Sequence, residues 1–333
     1  MDEFLVIGSG SAGRRHAIAL RAIFPLASIS LVRRFGSSQP LDSLDGQNIE
    51  ILPSIRAGLR WRPKFVVIAS AASRHLADFK EVCEHTDCVL IEKPLGMSAD
   101  EGRSIAELAE THSCRVSIGY HLRFSETVLA FHRLIHSLGA NSPTELRLSY
   151  GQHLRHWRPS APAEQSVTAR KDLGGGVLRE LSHEIDAVHY LGFSPTHVSG
   201  VALRFDGAPT DGQVETSADF TLENGKRVAK IHLDMTTEIP YRYWDAVYRD
   251  VTIRADLLNG KVVRLINDEI KVLHVSAPEE RNRAGETLIR TVLNPSLLCQ
   301  IAPSDIHQGV RIVNTIEAVE KSAKSGKRVA IRE

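Results

Sequence analysis

Gly8-Ser9-Gly10-Ser11-Ala12-Gly13 follows four apolar residues, Phe4-Leu5-Val6-Ile7, and runs straight into a stretch with helical periodicity. No other feature limits the fold of this chain so tightly. The spacing G-x-G-x-x-G between a buried strand and the start of a helix is the turn of a βαβ unit that cradles a dinucleotide. The first glycine permits the tight turn, the second lets a pyrophosphate reach the backbone, and the third lets helix and strand pack closely. The helix start then offers unpaired N–H groups and a partial positive charge to the phosphates. Gly8, Gly10, Ser11, Ala12 and Gly13 are the predicted phosphate-binding residues.

The end of the second strand decides which dinucleotide. An acid there would hold the ribose 2′-hydroxyl of NAD. The sequence instead has Arg33-Arg34, with no acid beside them. Two guanidiniums suit a 2′-phosphate. NADP is therefore the preferred cofactor, with NAD as the alternative.

Strand and helix patterns alternate through the first 120 residues: helices over 11–24, 75–84 and 98–112, strands over 29–32, 65–69, 89–91 and 115–118. Repeated βα units imply a doubly wound parallel sheet. The pattern then changes. After a helix over 126–138 come strands over 145–150, 198–203, 218–222, 228–233, 246–253 and 261–266, with a helix over 176–191 and a last helix over 304–325 before a short tail strand. The Asn224-Gly225 step is a hairpin signal. The expected fold class is α/β: an N-terminal Rossmann domain over 1–121, then an α/β domain over 122–333 built on a large mixed, mostly antiparallel sheet. The second domain would bind substrate and carry oligomerisation. An open sheet face needs cover, so a homodimer or homotetramer is expected. Residues 159–165 read as a loop that could serve as a mobile lid.

The remaining bulk properties exclude more than they assert. A chain of 333 residues suits two domains. Its formal net charge of +1 gives no reason to expect nucleic acid or an anionic membrane as partner. No apolar run approaches the roughly 20 residues of a membrane helix, and no signal peptide is visible, so a cytoplasmic location is expected. Cys83, Cys88, Cys114 and Cys299 form no pattern of metal ligands and read as reduced thiols. No metal is expected.

Glu92-Lys93-Pro94-Leu95-Gly96 follows the fourth strand. Ligands on open α/β sheets sit outside the carboxyl ends of the strands. A lysine there faces the nicotinamide pocket, and its ammonium can hold a reacting oxygen. On these residues, and on Ser70-Ala71-Ala72-Ser73-Arg74-His75, Gly119-Tyr120-His121-Leu122-Arg123-Phe124 and the run from Gly174-Gly175-Gly176 to His183-Glu184-Ile185-Asp186, the chain resembles the Gfo/Idh/MocA oxidoreductases over nearly its whole length. The position of His121 more usually holds Asn in that family.

The resemblance implies hydride transfer between a hydroxyl-bearing carbon and the nicotinamide, with Lys93 and His183 sharing the catalytic work. It also places Ser70, His75, Glu92 and Lys93 among the cofactor contacts. The chemistry needs such parts: a base for the hydroxyl proton, which histidine can supply near neutral pH, and a cation against developing alkoxide charge. Many members carry an Asp four residues before the histidine, where this chain has Arg179. Glu180, three before His183, is the expected orienting acid, and Asp186 the other candidate.

The stretch from Tyr150 to Asp172, with Trp157-Arg158-Pro159 and Ala169-Arg170-Lys171-Asp172, resembles a branch associated with bacterial surface-polysaccharide and nonulosonic-acid sugars. Arg123, Trp157, Arg158 and Arg170, with His183, are the expected substrate contacts. Such a basic, aromatic-edged group suits a sugar bearing phosphate or carboxylate. The expected activity is dehydrogenation or reduction of a sugar, sugar derivative or cyclitol. A non-catalytic dinucleotide-binding sensor of the same fold is the alternative. Reduction of a double bond, or cleavage through a transient ketone, is a third.

Overall fold

A computed structural model of the protein describes residues 2–34, 41–138, 143–157, 163–207, 210, 212–267, 269–277, 280–294, 296 and 301–332. Contacts divide the chain into two units. The first holds Met1–His121 with Gly285–Val313, the second Leu122–Ala284 with Asn314–Glu333. The chain thus returns to the first unit late, where the sequence pattern sets one boundary at 121 and assigns everything after it to the second domain.

The first unit runs β1 (Glu3–Ile7), α1 (Ser11–Ile23), β2 (Ser28–Val32), β3 (Glu50–Leu52), α2 (Ile55–Leu59), β4 (Phe65–Ile68), α3 (His75–Val82), β5 (Cys88–Ile91), α4 (Ala99–Thr111) and β6 (Arg115–Ile118). Its parallel strands lie in the order β3-β2-β1-β4-β5-β6. A short strand, Ser304–Asp305, adds antiparallel to the free side of β6. Every residue of β4 and β5 is buried, which is why these strands read as unbroken apolar runs. Strand order reverses between β1 and β4, and this switch point is where such sheets open a crevice for a ligand.

In the second unit α5 (Glu126–Ser137) and β7 (Glu145–Gly151) are followed by α6 (Val177–Glu180) and α7 (His183–Tyr190). Then come β8 (His197–Arg204), β9 (Ser217–Asn224), β10 (Arg227–Asp234), β11 (Tyr241–Val247), β12 (Thr252–Asp256), β13 (Lys261–Ile266) and β14 (Glu269–Val275). Helix α8 (Glu280–Leu293) crosses from the second unit's residues into the first's. It precedes the short strand above, β15 (Ser304–Asp305), then α9 (Ile306–Ser325) and β16 (Val329–Ala330). The sheet order is β14-β13-β12-β11-β7-β10-β9-β8-β16, antiparallel throughout except for the β7–β10 pair. The Asn224-Gly225 hairpin joins β9 to β10, with Asn224 opposite Arg227 and Gly225 at φ +59°. No helix among the described residues is long and apolar enough to cross a membrane.

Two expected elements divide. The strand expected over 246–253 is the end of β11 and the start of β12, paired Ala246 to Ile253 across a turn closed by Tyr248 N–H on the Val251 carbonyl. The helix expected over 176–191 breaks at Leu181-Ser182 into α6 and α7. The last helix begins at Ile306 rather than 304, because Ser304 and Asp305 join the first sheet.

Candidate active site

The glycine turn sits at the switch point. Gly8 adopts φ +110°, and a Cβ there would lie 2.6 Å from the Ala69 carbonyl oxygen on β4's side. A Cβ on Gly13 would lie 1.8 Å from the Gly8 carbonyl oxygen. Both positions are closed by the protein's own backbone. Gly10 is different: nothing lies within 4 Å of where its Cβ would be. That is the open approach a pyrophosphate requires. Gly10 is also the N-cap of α1, which has no side-chain cap and no acid in its first turn. The amides at Ser11, Ala12 and Gly13 are left for an anion. Arg14 Nη1 donates to the Ser9 carbonyl at 2.8 Å and ties the turn from its far side.

Arg33 and Arg34 follow β2 directly, and the Arg33 amide continues the sheet by donating to the Leu52 carbonyl. The sequence puts no acid beside them, but the fold does. Asp78, on α3, accepts from Arg34 Nη2 at 2.5 Å and Nη1 at 3.3 Å, and from Ser70 Oγ at 2.7 Å. Arg74 Nη2 lies 3.6 Å from the same carboxylate. Arg34 and Ser70 therefore belong to one cluster whose hub, 44 residues from Arg34 in sequence, no local pattern reveals.

The Lys93 segment is braced by two buried histidines. His16, on α1, lies with Nε2 2.7 Å from Glu92 Oε1, both side chains buried. Glu92 Oε2 accepts the Lys93 amide at 3.2 Å. Gly119 packs closely on this pair: a Cβ there would lie 3.1 Å from the Glu92 carboxyl. Burial alone would push the Glu92 carboxyl up, but the His16 hydrogen bond and the nearby Arg15 and Lys93 outweigh it and hold it well below the usual range. His75, expected to touch cofactor, is only 1% exposed. Its Nδ1 faces the Pro94 and Leu95 carbonyls at 3.0 and 3.3 Å, and its Nε2 faces the Ser70 carbonyl at 3.1 Å. Burial lowers its pKa, and its two ring nitrogens tie the loop after β4 to the loop after β5. Glu92 likewise holds the Lys93 backbone. Sequence reasoning missed His16; its one signal is a polar residue on the stripe Gly13, His16, Ala17, Leu20.

In the second unit His183 opens α7 and is buried. The break at Leu181-Ser182 removes the continuous helix on which Glu180 was to face it. Glu180 accepts from Thr168 Oγ1 at 3.0 Å, and Arg179 pairs with Glu320 at 2.6 Å. Asp186 is held by Arg123 through two bonds of 2.9 and 2.5 Å. Arg123 is 3% exposed and lies 5.2 Å over the Tyr190 ring. Arg123 is thus a buried guanidinium held between Asp186 and the Tyr190 ring. Trp157 donates its ring N–H to the Gln152 carbonyl and stacks 6.3 Å from Tyr150, whose ring in turn carries Arg242 at 4.5 Å. Arg170 pairs with exposed Asp172. Arg158 and residues 159–162 of the expected lid lie outside the described residues. Sequence reasoning missed Arg242, which bridges this aromatic pair to Glu184 at 2.7 Å, beside His183.

Residues 3–120 match the family model described as an oxidoreductase family with an NAD-binding Rossmann fold. An uncharacterized oxidoreductase of Bacillus subtilis (strain 168), YrbE, is 24% identical over 245 residues, 72% of this chain and 68% of that protein. Glucose-6-phosphate 3-dehydrogenase of the same organism is 25% identical over 206 residues, 57% of this chain and 54% of that protein. The chain therefore matches about half the length of that second relative. Among solved structures, levoglucosan dehydrogenase in complex with NADH aligns over 100% of this chain and 99% of its own at a TM-score of 0.83. At 14% identity this is a likeness of fold.

Proposed function

We propose, from the match of residues 3–120 to the oxidoreductase family model, that the chain is a Gfo/Idh/MocA oxidoreductase and transfers a hydride between a nicotinamide ring and a hydroxyl- or keto-bearing carbon of a sugar, sugar derivative or cyclitol. The observation that carries the reading is the glycine turn: two glycines closed by backbone and one, Gly10, facing open space at an uncapped helix start. The residues fit a dinucleotide. Gly10, Ser11, Ala12 and Gly13 would hold its pyrophosphate, and Arg33 and Arg34 its adenosine end, with NADP preferred over NAD. When bound, the cofactor supplies or accepts the hydride. The chain's own residues would manage the proton and the charge. Lys93 donates to the reacting oxygen and offsets its developing negative charge. His183 takes the hydroxyl proton in oxidation and returns it in reduction. Arg170, Trp157 and Arg158 are proposed substrate contacts, which favours an anionic sugar.

A fluorescence titration with NADPH and NADH, followed by an oxidation screen of nucleotide sugars, sugar phosphates, free sugars and inositols, tests the reading. Once a substrate is found, Lys93→Ala and His183→Ala should each lower kcat by about 10²–10⁴-fold. Unchanged turnover in either variant would remove that residue's role. Tight dinucleotide binding with no turnover across the panel would favour the sensor.

A further inference from the structure

Asp78 and Arg74 stand out once the end of β2 is seen in three dimensions. The Asp78 side chain is wholly enclosed, while the Arg34 and Arg74 side chains are 34% and 48% exposed. Oδ1 takes Arg34 Nη2 at 2.5 Å and lies 3.6 Å from Arg74 Nη2. Oδ2 takes Ser70 Oγ at 2.7 Å and Arg34 Nη1 at 3.3 Å. One buried carboxylate thus anchors two outward guanidiniums that reach it from different segments, β2's end and the turn before α3. Arg34 and Arg74, two cations, thus stand against a single anion.

We propose that Asp78 and Arg74 complete the site that reads the 2′ position of the adenosine ribose: Arg74 as a second phosphate contact beside Arg34, and Asp78 as the positioning residue that fixes both. The proposal rests on the dinucleotide reading above and deepens it. A 2′-phosphomonoester carries about −1.5 to −2 charges and three acceptor oxygens. It can take two guanidinium forks together, whereas a 2′-hydroxyl offsets none of the surplus charge. Asp78 cannot itself serve as the acid that binds the hydroxyl, because it is enclosed and both its oxygens accept from Arg34 and Ser70. Its negative charge opposes a phosphate, but the guanidiniums lie between it and solvent. Holding them in place removes the ordering cost of binding with loose side chains.

Calorimetry on the full chain with 2′,5′-ADP and 5′-AMP isolates this contribution, and NADPH against NADH repeats it on whole cofactors. The wild type should bind 2′,5′-ADP at least about tenfold more tightly than 5′-AMP, about 1.4 kcal/mol. Arg74→Ala should cut that ratio roughly threefold or more at unchanged 5′-AMP affinity. Asp78→Ala should bring it near unity, and Asp78→Asn, which keeps an acceptor for Arg34, should fall between. A ratio that stays or rises in both Asp78 variants would show Asp78 to be only an opposing charge and overturn its role. An unchanged ratio in Arg74→Ala overturns the second contact, and since Arg74 is exposed that answer survives even if the Asp78 variants do not fold. A wild type with no preference for 2′,5′-ADP fails at the NADP reading itself, before any variant is made.

Discussion

The residues that decide the first unit's chemistry are held by groups distant in sequence. His16 and Glu92 form a buried pair across 76 residues. Breaking a buried pair from one side leaves the other charge uncompensated, at a cost of about 3–5 kcal/mol. His16→Ala should therefore lose about that much in urea denaturation at neutral pH, and His16→Gln, whose amide can donate to Glu92, should recover part. The pH dependence has a definite sign. Glu92 is held below its ordinary value, so the unfolded chain binds its proton first as pH falls. Its stabilising contribution is complete above about pH 4.3 and fades as pH drops toward the lowered folded value. In His16→Ala this acid-side loss should flatten; an unaltered acid limb would mean that His16 does not hold the carboxylate. Such pairs were not legible in the sequence. The glycine turn and the places of Arg33, Arg34 and Lys93 at strand ends were, because turn chemistry and position on a strand end are local properties. Asp78, the brace made by His75 and the core ion pair of Arg123 depend on which distant residue arrives, and no spacing rule encodes that.

Elements were legible where periodicity or turn residues mark them. The alternating runs of the first 120 residues and the Asn224-Gly225 hairpin carry such marks. The divisions of 176–191 and 246–253 do not. Tyr248-Arg249-Asp250-Val251 turns without glycine, proline or asparagine, and Leu181-Ser182 interrupts a helix with residues that suit one. What sets α6 apart is a clamp on its start. The Val177 amide donates to the Glu215 carbonyl at 2.9 Å, and the Leu178 amide to Glu215 Oε1 at 3.1 Å. Gly176 sits at φ +103°, ψ 154°, and a Cβ there would lie 2.4 Å from Oε1. That backbone region belongs almost wholly to glycine, and strain there costs about 1–3 kcal/mol before any clash is counted. Gly176→Ala should lower the melting midpoint by roughly 2–4 °C per kcal/mol, and an unchanged midpoint in calorimetry would refute the clamp. The last of the three glycines ahead of His183 is thus explained by packing, independently of catalysis.

At the scale of the molecule, the first unit is not finished at residue 121. β15 covers the outer edge of β6, Arg115 donates to the Val292 carbonyl at 3.0 Å, and Gly309 sits so close to Ile118 and Leu95 that a Cβ would lie 3.0 and 3.1 Å from them. A fragment ending at His121 keeps the glycine turn but leaves β6 as a bare edge, a template for pairing with other chains. It should bind dinucleotide weakly at best and aggregate on concentration, whereas adding residues 285–313 in trans or by a linker should suppress aggregation; a monodisperse, cofactor-binding fragment in light scattering would contradict this. The same late closure bears on how the protein is made. At about 5–20 residues per second, the stretch between β6 and β15 takes roughly 10–40 s to leave the ribosome. For that interval the nascent sheet of the first unit waits with one flank unsealed, until the returning chain closes it.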